Sequence, residues 1–419
     1  MFKDLIKKYF RKVIKRYYEQ IAGTKEDQTY LHDEMLDEEY SPDMTFESIS
    51  GRFTRITADV VAYDSPLPIK RRGAISAASG EIPKSGLKFL LNEKQMNTLI
   101  ILTKFPGRIK ELIRKLFGDS KSCILGIKEL MEEMFLIGLS NGATLIKEEK
   151  NTGTGVRVDY NIPDSNKFGA TVKWSNPEAL PLDDIQRVVS ESDNIVDTIW
   201  MDAGTARLLK TNDQMKQNFA FNLNILSDKI PTLSNNQLSE YFATNLGLRL
   251  RIIDRAFRKQ KNGKTTRVKA WKENMIVFTS GSKIGSLAYS TLAEEVLPTE
   301  GVSYTKPNKY ILISNEGTTD PVSRKTTGQA IAIPVLQNVD TIFYLDTEEA
   351  ETDEQTEGDD IVTYKNANYP KQVIVDGLNK ADDSVNAKIT NKDITLLNKI
   401  NSLSQEGIKI FEQAIANTR

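Results

Sequence analysis

The side chains that most often carry out chemistry are scarce in this 419-residue chain, which holds one cysteine, Cys123, and one histidine, His32. A site that needs two imidazoles, such as a HExxH zinc centre or a facial-triad iron centre, is therefore excluded. One cysteine forms no disulfide within the chain and supplies no cluster of zinc thiolates. We interpret Cys123 as a core residue and His32, in an acidic stretch away from any nucleophile elbow, as a surface histidine.

Three short motifs remain as candidates for chemistry. The Gly/Ser-rich segment TSGSKIGS at 279–286 follows a strand, but it lacks the spacing of a phosphate-binding loop and is typical of a plain turn. NTGTG at 151–155 does not match the GxGxxG pattern. Asp183 and Asp184 are better explained as the N-terminal turn of a helix than as an acid/base pair. The sequence therefore predicts no catalytic residue, no metal and no cofactor.

The composition is that of an ordinary globular protein, with 39% hydrophobic and 27% charged residues and a net charge of −1. A chain of this length forms two or three packed units. It is not a polycation that would coat nucleic acid along its whole length. No apolar run approaches the ~20 residues of a membrane span, and charges interrupt the N-terminus where a signal peptide would be apolar. We expect a soluble, cytosolic protein without a membrane partner.

Residues 1–21 have the apolar spacing of an amphipathic helix, and Gly23 is a plausible end. The polar face is basic, with Lys7, Lys8, Arg11, Lys12, Lys15 and Arg16. Such a helix could lie on a membrane, bind DNA electrostatically, dock on a partner or simply expose a solvated face. Residues 24–50 are polar and acidic, which indicates an extended arm with little structure of its own.

Residues 52–66 alternate like a strand, and LKFLLNE at 87–93 reads as a return strand. The segment 66–86 holds three prolines, three glycines and a basic centre, Lys70-Arg71-Arg72. We therefore predict a long hairpin that projects from the body. Its backbone groups have few local partners, so it needs neighbouring chains.

Further along, a helix is predicted over about 119–148, and short apolar strands recur up to residue 346. Residues 249–271 are strongly basic around Asn262-Gly263, which favours a hairpin with a type I′ turn. The run 346–360 contains nine acidic and no basic side chains, and we expect it to be the electrostatic counterpart of that hairpin. Residues 361–419 read as a small appended domain whose core includes Leu396, Leu397, Ile400, Leu403, Ile408, Phe411 and Ile415.

Several segments resemble the lambda-type major capsid proteins of tailed phages, the capsid protein E family. The most specific is WSNPEALPLDD at 174–184, which follows VRVDYNIP at 156–163 as the family's strand and W-S-[DN]-P block do. The residues that fill the pattern are Val158, Asp159, Tyr160, Trp174, Ser175, Pro177, Ala179, Pro181 and Asp184. The opening at 53–96, the block at 200–217 and the hairpin region at 245–290 are also similar. The resemblance covers roughly residues 50–345. The acidic linker and the extension 361–419 have no counterpart in the family, and the basic N-terminal helix is unusual for it.

The resemblance implies an α+β chain with the Hong Kong phage-type (Johnson) fold of major capsid proteins. Its expected parts are an N-terminal arm (1–50), an extended loop or E-loop (51–95), a peripheral domain with a long spine helix (96–184 and 330–346) and an axial domain (185–329). An acidic linker (347–360) and an appended C-terminal domain (361–419) would follow.

The implied function is assembly into the hexamers and pentamers of an icosahedral shell around double-stranded DNA, in a virion capsid that is assembled in the host cytoplasm. The implied partners are other copies, a scaffolding protein, the portal, a decoration protein and packaged DNA. Lys70, Arg71, Arg72 and Lys84 would make contacts between subunits through the extended loop. The N-terminal cations would face DNA or scaffold, and Asp159, Trp174, Pro177, Pro181 and Asp184 would be structural.

Two alternatives stay open. A cellular nanocompartment shell of the same fold would share the arm, the loop and the spine helix but enclose protein. A phage DNA-binding or tail-region protein would use the two basic segments, and its DNA binding would depend steeply on salt. An enzyme is the least favoured class because the chain is so poor in catalytic side chains.

Overall fold

The chain divides into two compact units, residues 1–350 and residues 351–419, which we call the body and the C-terminal unit. The structure is a computed structural model. It describes residues 2–23, 30–51, 75–146, 155–222, 232–261, 263–350, 361–364, 367–381, 400, 403 and 405–416.

The elements below are those of the described residues. The α-helices are α1 (Phe2–Gly23), α2 (Leu31–Met35), α3 (Glu93–Thr103), α4 (Ile109–Asn141), α5 (Pro181–Glu191), α6 (Ala203–Thr211), α7 (Asp213–Asn222), α8 (Asn235–Tyr241), α9 (Ala293–Val296), α10 (Lys371–Ala381) and α11 (Gln405–Ala416). The strands are β1 (Leu36–Tyr40), β2 (Thr45–Gly51), β3 (Ile75–Glu81), β4 (Lys84–Leu91), β5 (Ala143–Ile146), β6 (Val156–Asp159), β7 (Lys167–Ala170), β8 (Thr198–Asp202), β9 (Arg249–Ile253), β10 (Ala256–Lys261), β11 (Lys264–Lys269), β12 (Met275–Thr279), β13 (Gly285–Ser290), β14 (Ser303–Thr305), β15 (Leu312–Thr319), β16 (Val322–Leu336), β17 (Phe343–Ala350), β18 (Ile361–Tyr364) and β19 (Ala367–Pro370).

Helix α4, the expected spine helix, is longer at its start than the predicted 119–148 and ends earlier. Its 33 residues make a rod of about 50 Å. It begins earlier because Leu112 and Leu116, both buried, extend the apolar stripe towards the N-terminus. It ends before Gly142, which adopts a φ of 66°, the left-handed conformation that terminates helices.

A six-stranded sheet lies against α4. Its order is β1-β13-β16-β15-β14, and β4 also pairs with β16. Gly328 in β16 allows the close approach of helix and sheet, since a Cβ atom there would lie 2.6 Å from the Cβ atom of Cys123. Cys123 is fully buried, and burial raises the pKa of its thiol to about 12. The interpretation of Cys123 as a core residue is therefore confirmed.

The second large sheet has five strands in the order β7-β17-β12-β8-β9. It has its own core, which helices α5, α6 and α8 complete with Ile185, Leu209 and Leu238. The expected boundary between the axial domain (185–329) and the second segment of the peripheral domain (330–346) does not coincide with the division of the strands into two sheets. The reason is that the short turn between β15 and β16 makes them an antiparallel pair in the first sheet, whereas β17 pairs with β12 in the second.

The stretch expected to be an extended arm is partly built into the body. The short helix α2 leads into β1, which pairs in parallel with β13 along its whole length. The backbone groups on that side of β1 are thereby satisfied within the chain, and β1 forms the edge of the sheet. This part of the arm is a structural strand.

The hairpin that follows the arm is formed by β2 and β3, which pair antiparallel from Thr45↔Glu81 to Gly51↔Ile75. The predicted strand at 52–66 lies outside the described residues. The prediction that LKFLLNE is the return strand was wrong, because that segment pairs as β4 with β16. Leu87 shows why, since it packs against Gly126 of α4 and anchors β4 to the body.

The basic hairpin is shorter than the predicted 249–271. Strands β10 and β11 pair from Ala256↔Lys269 to Lys261↔Lys264. Gly263 in the turn has a φ of +75°, as a type I′ turn requires. Residues 249–253 instead form β9, which pairs in parallel with β8 at the edge of the second sheet.

In the C-terminal unit, β18 and β19 form an antiparallel pair, and α10 and α11 follow. Its core contains Ile374, Leu378, Ile400, Leu403 and Phe411. The prediction of core positions is confirmed for Ile400, Leu403 and Phe411, and Ile408 is partly buried against this core. Leu396 and Leu397 lie outside the described residues, and the side chain of Ile415 is not described.

Candidate functional site

The extended-loop residues are described only in part. Lys70, Arg71 and Arg72 lie outside the described residues. Lys84 begins β4, and its Nζ atom lies 3.3 Å from Oε1 of Glu294 within the same chain. Its side chain is 54% exposed, so this ion pair leaves Lys84 accessible to a neighbouring subunit.

The N-terminal helix α1 packs on α4 through its apolar face. The Phe10 and Phe117 rings are 5.8 Å apart, and Ile14 is fully buried. On the opposite face Arg11, Lys12, Lys15 and Arg16 are all exposed. Lys7 and Lys8 belong to the same helix, but their side chains are not described. The prediction of an amphipathic helix is thus confirmed, and its apolar face is covered by α4.

The most highly connected charged group of the body is Glu132 of α4, which is fully buried. Its carboxylate accepts hydrogen bonds from the backbone N–H groups of Leu31 and His32, both at 3.0 Å. His32 Nδ1 lies 2.6 Å from Oε2, and Arg255 Nη1 donates to Oε1 at 3.3 Å. This one side chain therefore joins the arm, α4 and the start of β10. We call the cluster around it the arm–spine junction.

The histidine at this junction is not the surface residue that the sequence indicated. His32 is 1% exposed, and its Nε2 atom lies 3.3 Å from Oδ1 of Asp33. Asp33 in turn forms an ion pair with Lys128 of α4. The ring of His32 is held through Nδ1 by Glu132, whereas Nε2 lies near Asp33 and forms no hydrogen bond within the described residues. His32 therefore serves to attach the arm.

Aromatic rings complete the junction. The Tyr30 hydroxyl donates to Oε1 of Glu129, and burial together with that carboxylate raises the pKa of Tyr30. The Arg255 guanidinium lies over the rings of Tyr30 and Phe257, at 4.7 and 5.2 Å, and it also donates to Glu129 at 2.8 Å. Stacking and hydrogen bonds together compensate the cost of placing Arg255 in a half-buried position.

The cations of β9 and β10 reach carboxylates of the arm and of α4. Arg251 forms an ion pair with Glu34 at 2.6 Å, and Lys259 forms one with Glu133 at 2.8 Å. Within the described residues, these two cations therefore pair with the arm and with α4. Of the run 346–360, Asp346 forms an ion pair with Lys272, and residues 351–360 lie outside the described part, so the pairing of that run with the hairpin stays a prediction.

Sequence reasoning missed Glu129, Glu132 and Glu133, although a signal was present. They fall at i, i+3 and i+4 within ELMEEMF, an otherwise apolar part of α4. Acidic residues on a nearly buried helix face need cationic partners.

The family-motif residues stabilise the start of α5. Asp184 is 1% exposed, and its carboxylate accepts from Trp174 Nε1 at 2.9 Å and from the Thr171 N–H and hydroxyl at 3.0 and 2.6 Å. Pro181 is the first residue of α5, and Pro177 is exposed in the preceding turn. Both oxygens of the Asp184 carboxylate thus accept hydrogen bonds from the segment that precedes α5, which holds that segment in place.

Two other motif residues also have local partners. Asp159 accepts from the N–H of Asn161 at the end of β6. In the Gly/Ser-rich turn, the Gly281 N–H donates to the Asp197 carboxylate at 2.9 Å, so a side chain of the chain itself occupies that donor. Among the described residues no group of three or more potential ligands could hold a metal, and no helix is both long and apolar enough to cross a membrane.

Comparison with solved structures identifies the fold. A crystal structure assigned to a prophage capsid protein of Escherichia coli CFT073 matches with a TM-score of 0.50 and 14% identity, over 80% of this chain and 98% of that one. This match defines the class: the chain has the fold of a phage capsid protein.

Two further structures match with lower scores. The mature capsid of bacteriophage PhiM1 gives a TM-score of 0.42 and 8% identity, over 77% of this chain and 88% of that one. The SrpI encapsulin of Synechococcus elongatus PCC 7942 gives 0.36 and 10%, over 80% and 95%. No protein-family model matches the sequence, and no curated protein matches it.

Proposed function

We propose that this chain is the major capsid protein of a tailed bacteriophage, and that its copies form the hexamers and pentamers of an icosahedral shell around double-stranded DNA. The observation that carries the proposal is the shared fold over 98% of the prophage capsid protein. Its role is structural, and the virion capsid, assembled in the host cytoplasm, is its location.

The hairpin β2–β3 supports a role in contacts between subunits. Its two strands pair with each other over seven residues each, and β2 is held to the body, where Gln337 Nε2 donates to the Glu47 carbonyl and Ser48 is buried. The pair is thereby anchored at its base, and the loop that it carries can reach a neighbour. The loop between them carries Lys70, Arg71 and Arg72, which would contact carboxylates of the next subunit. Lys84 follows β3 and would extend the same contact.

Other partners follow from a shell of this kind. A scaffolding protein would guide assembly, a portal would replace one pentamer, and a decoration protein would bind the outer surface. The exposed cations of α1 would face DNA or scaffold on the inner surface. Trp174 and Asp184 would keep the start of α5 in place without touching a neighbour.

Electron microscopy tests the proposal directly. The full chain, expressed alone and then with the genes beside it, should give closed particles, tubes or hexameric rings in negative stain and a matching mass by light scattering. The charge reversal Lys70→Glu/Arg71→Glu/Arg72→Glu should leave a folded monomer and abolish the particles. Reversal of the exposed residues Lys173 and Arg207 serves as a control.

The contents of the particles separate the remaining alternatives. Particles that enclose a protein and no nucleic acid would favour a nanocompartment. A chain that stays monomeric under both expression conditions would contradict the shell function. Normal particles from the charge reversal Lys70→Glu/Arg71→Glu/Arg72→Glu would contradict the proposed loop contact and leave the shell function in place.

A further inference from the structure

A second set of cations lies beside α1, on the N-terminal part of α4. Lys110, Arg114 and Lys121 are exposed, and their spacing of four and seven residues places them on one stripe of the helix. Phe117 lies between them in the sequence, and its ring contacts Phe10 of α1. The stripe therefore borders the line along which the two helices pack.

The electrostatics of Tyr17 support this placement. Burial raises the pKa of Tyr17, and the charge of the Arg114 guanidinium opposes that rise, so the two side chains of the two helices are near each other. The exposed cations thus lie on two helices that pack against each other, and Arg114 of α4 lies beside α1. We call this set of cations the basic strip, and it consists of Arg11, Lys12, Lys15, Arg16, Lys110, Arg114 and Lys121.

Within the described part of the body, none of the seven cations of the basic strip forms an ion pair. Glu111 of α4 forms an ion pair with Lys115 at 3.0 Å, which lowers the pKa of Glu111, and the charge of Arg114 also lowers it, so Glu111 offsets part of the positive charge at this place. The whole chain has a net charge of only −1, so this concentration of positive charge is local. A local field of this strength attracts a partner of opposite charge.

The packing of α1 decides what kind of partner fits. A membrane would require the apolar face of α1, which is covered by α4 through Phe10 and Ile14. A protein partner would require apolar or aromatic anchors at the centre of its footprint. Among the described side chains of α1 and of residues 110–121, no large hydrophobic is exposed. A phosphate backbone, by contrast, requires cations alone.

We propose that the basic strip binds the phosphate backbone of double-stranded nucleic acid without reading its sequence. The inference rests on the proposed function, in which the inner surface of the shell meets packaged DNA. It adds Lys110, Arg114 and Lys121 of α4 to that contact and selects the duplex over an acidic protein. The hairpin β10–β11 is not part of this surface.

The salt dependence of binding by the full chain tests the proposal. The anisotropy of a fluorescein-labelled duplex of about 30 base pairs is measured between about 50 and 200 mM salt. Each phosphate contact contributes about 0.9 to the slope of log affinity against log salt. Arg114→Gln/Lys121→Gln should therefore lower the slope by about 2 and weaken binding equally for duplexes of unrelated sequence.

The control has the same change of charge elsewhere. Lys173→Gln/Arg207→Gln removes two exposed cations of the region around the second sheet and should leave the slope unchanged. Equal slopes for both double variants and the wild type would overturn the proposal. A labelled polyglutamate peptide that binds more tightly than the duplex, and loses affinity in Arg114→Gln/Lys121→Gln, would also overturn it in favour of an acidic protein.

Microscopy of the same variants separates this inference from the proposed function. Normal particles from Arg114→Gln/Lys121→Gln with an unchanged slope would reject the strip and leave the shell function in place. A wild-type chain that never forms particles, together with a reduced slope in Arg114→Gln/Lys121→Gln, would reject the shell function and leave nucleic-acid binding in place.

Discussion

The chain has two basic regions that look alike in sequence and differ in structure. In the segment β9–β10, Arg251, Arg255 and Lys259 are held by carboxylates of the arm and of α4. In α1 the cations project into solvent, and the apolar face holds the helix in place. The first region uses its charge to assemble the body, whereas the second keeps its charge for a partner. Composition alone does not separate these two uses.

The difference follows from what each region packs against. The C-terminal half of α4 presents Glu129, Glu132 and Glu133 to the segment at the start of β10, and the last two carboxylates are too buried to stay unpaired. The N-terminal half of α4 presents Phe117 and further cations to α1. One helix therefore has an acidic end that joins the body together and a basic end that enlarges a surface.

The largest effect is expected at Glu132. Glu132→Ala leaves Arg255, His32 and two backbone N–H groups without their acceptor in a buried place, so the free energy of unfolding of the body should fall by about 3–5 kcal/mol. Urea unfolding followed by tryptophan fluorescence measures it. The control Glu111→Ala removes a half-exposed pair on the same helix and should cost less than about 1 kcal/mol. Equal losses would remove the distinction between the two ends of α4.

Truncation of the α1 anchor should have the next largest effect. Phe10→Ala removes a buried ring against Phe117 and should cost about 3 kcal/mol in the docking of α1. Hydrogen exchange of the α1 amides measures that docking. Replacing Arg11, Lys12, Lys15 and Arg16 by Gln should leave the exchange almost unchanged. Faster exchange in this quadruple variant would mean that the charges, too, hold α1 in place.

A third comparison uses two nearby arginines, Arg255 just before β10 and Arg258 within it. Arg255→Gln breaks the contacts with Glu129 and Glu132 and should lower the free energy of unfolding by about 2–3 kcal/mol. Arg258→Gln, on the exposed face, should change it by less than about 0.5 kcal/mol. Chemical unfolding of the two variants checks the values. A loss at position 258 as large as that at position 255 would show that the exposed face also supports the fold.

The smallest effect concerns pH. The hydrogen bond from Arg251 lowers the pKa of Glu34, so the folded state binds this proton less readily than the unfolded state. The resulting stabilisation is complete above the unfolded pKa of about 4.3 and is lost as the pH falls through the lower folded value. Because Glu34 is 46% exposed, it should amount to less than about 1 kcal/mol.

Urea midpoints between about pH 3 and 6 measure this dependence. Arg251→Gln should remove the contribution of Glu34 to this pH dependence, so the curve of urea midpoint against pH should become flatter. An unchanged curve in that variant would show that other carboxylates cause the whole acid sensitivity.

Much of the local structure could be predicted from periodicity. The amphipathic pattern of α1 and the positive φ of Gly263 in the hairpin turn depend on neighbours in sequence, and both are confirmed. The assignment of LKFLLNE to a projecting hairpin failed because its place is set by Gly126 and Gly328, far away in the chain. Strand pairing is a long-range choice that a local pattern does not encode.

The sequence by itself determined the class of elements, the poverty in catalytic side chains and the presence of two basic regions, since these depend on residue types and short spacings. Only the tertiary structure decided that His32 is buried between carboxylates, that the arm contributes β1 to a sheet, and that α1 keeps its cations free. The physical reason is that a charge is neutralised or exposed according to what the fold places within a few ångströms of it, and those partners are about a hundred residues away in sequence.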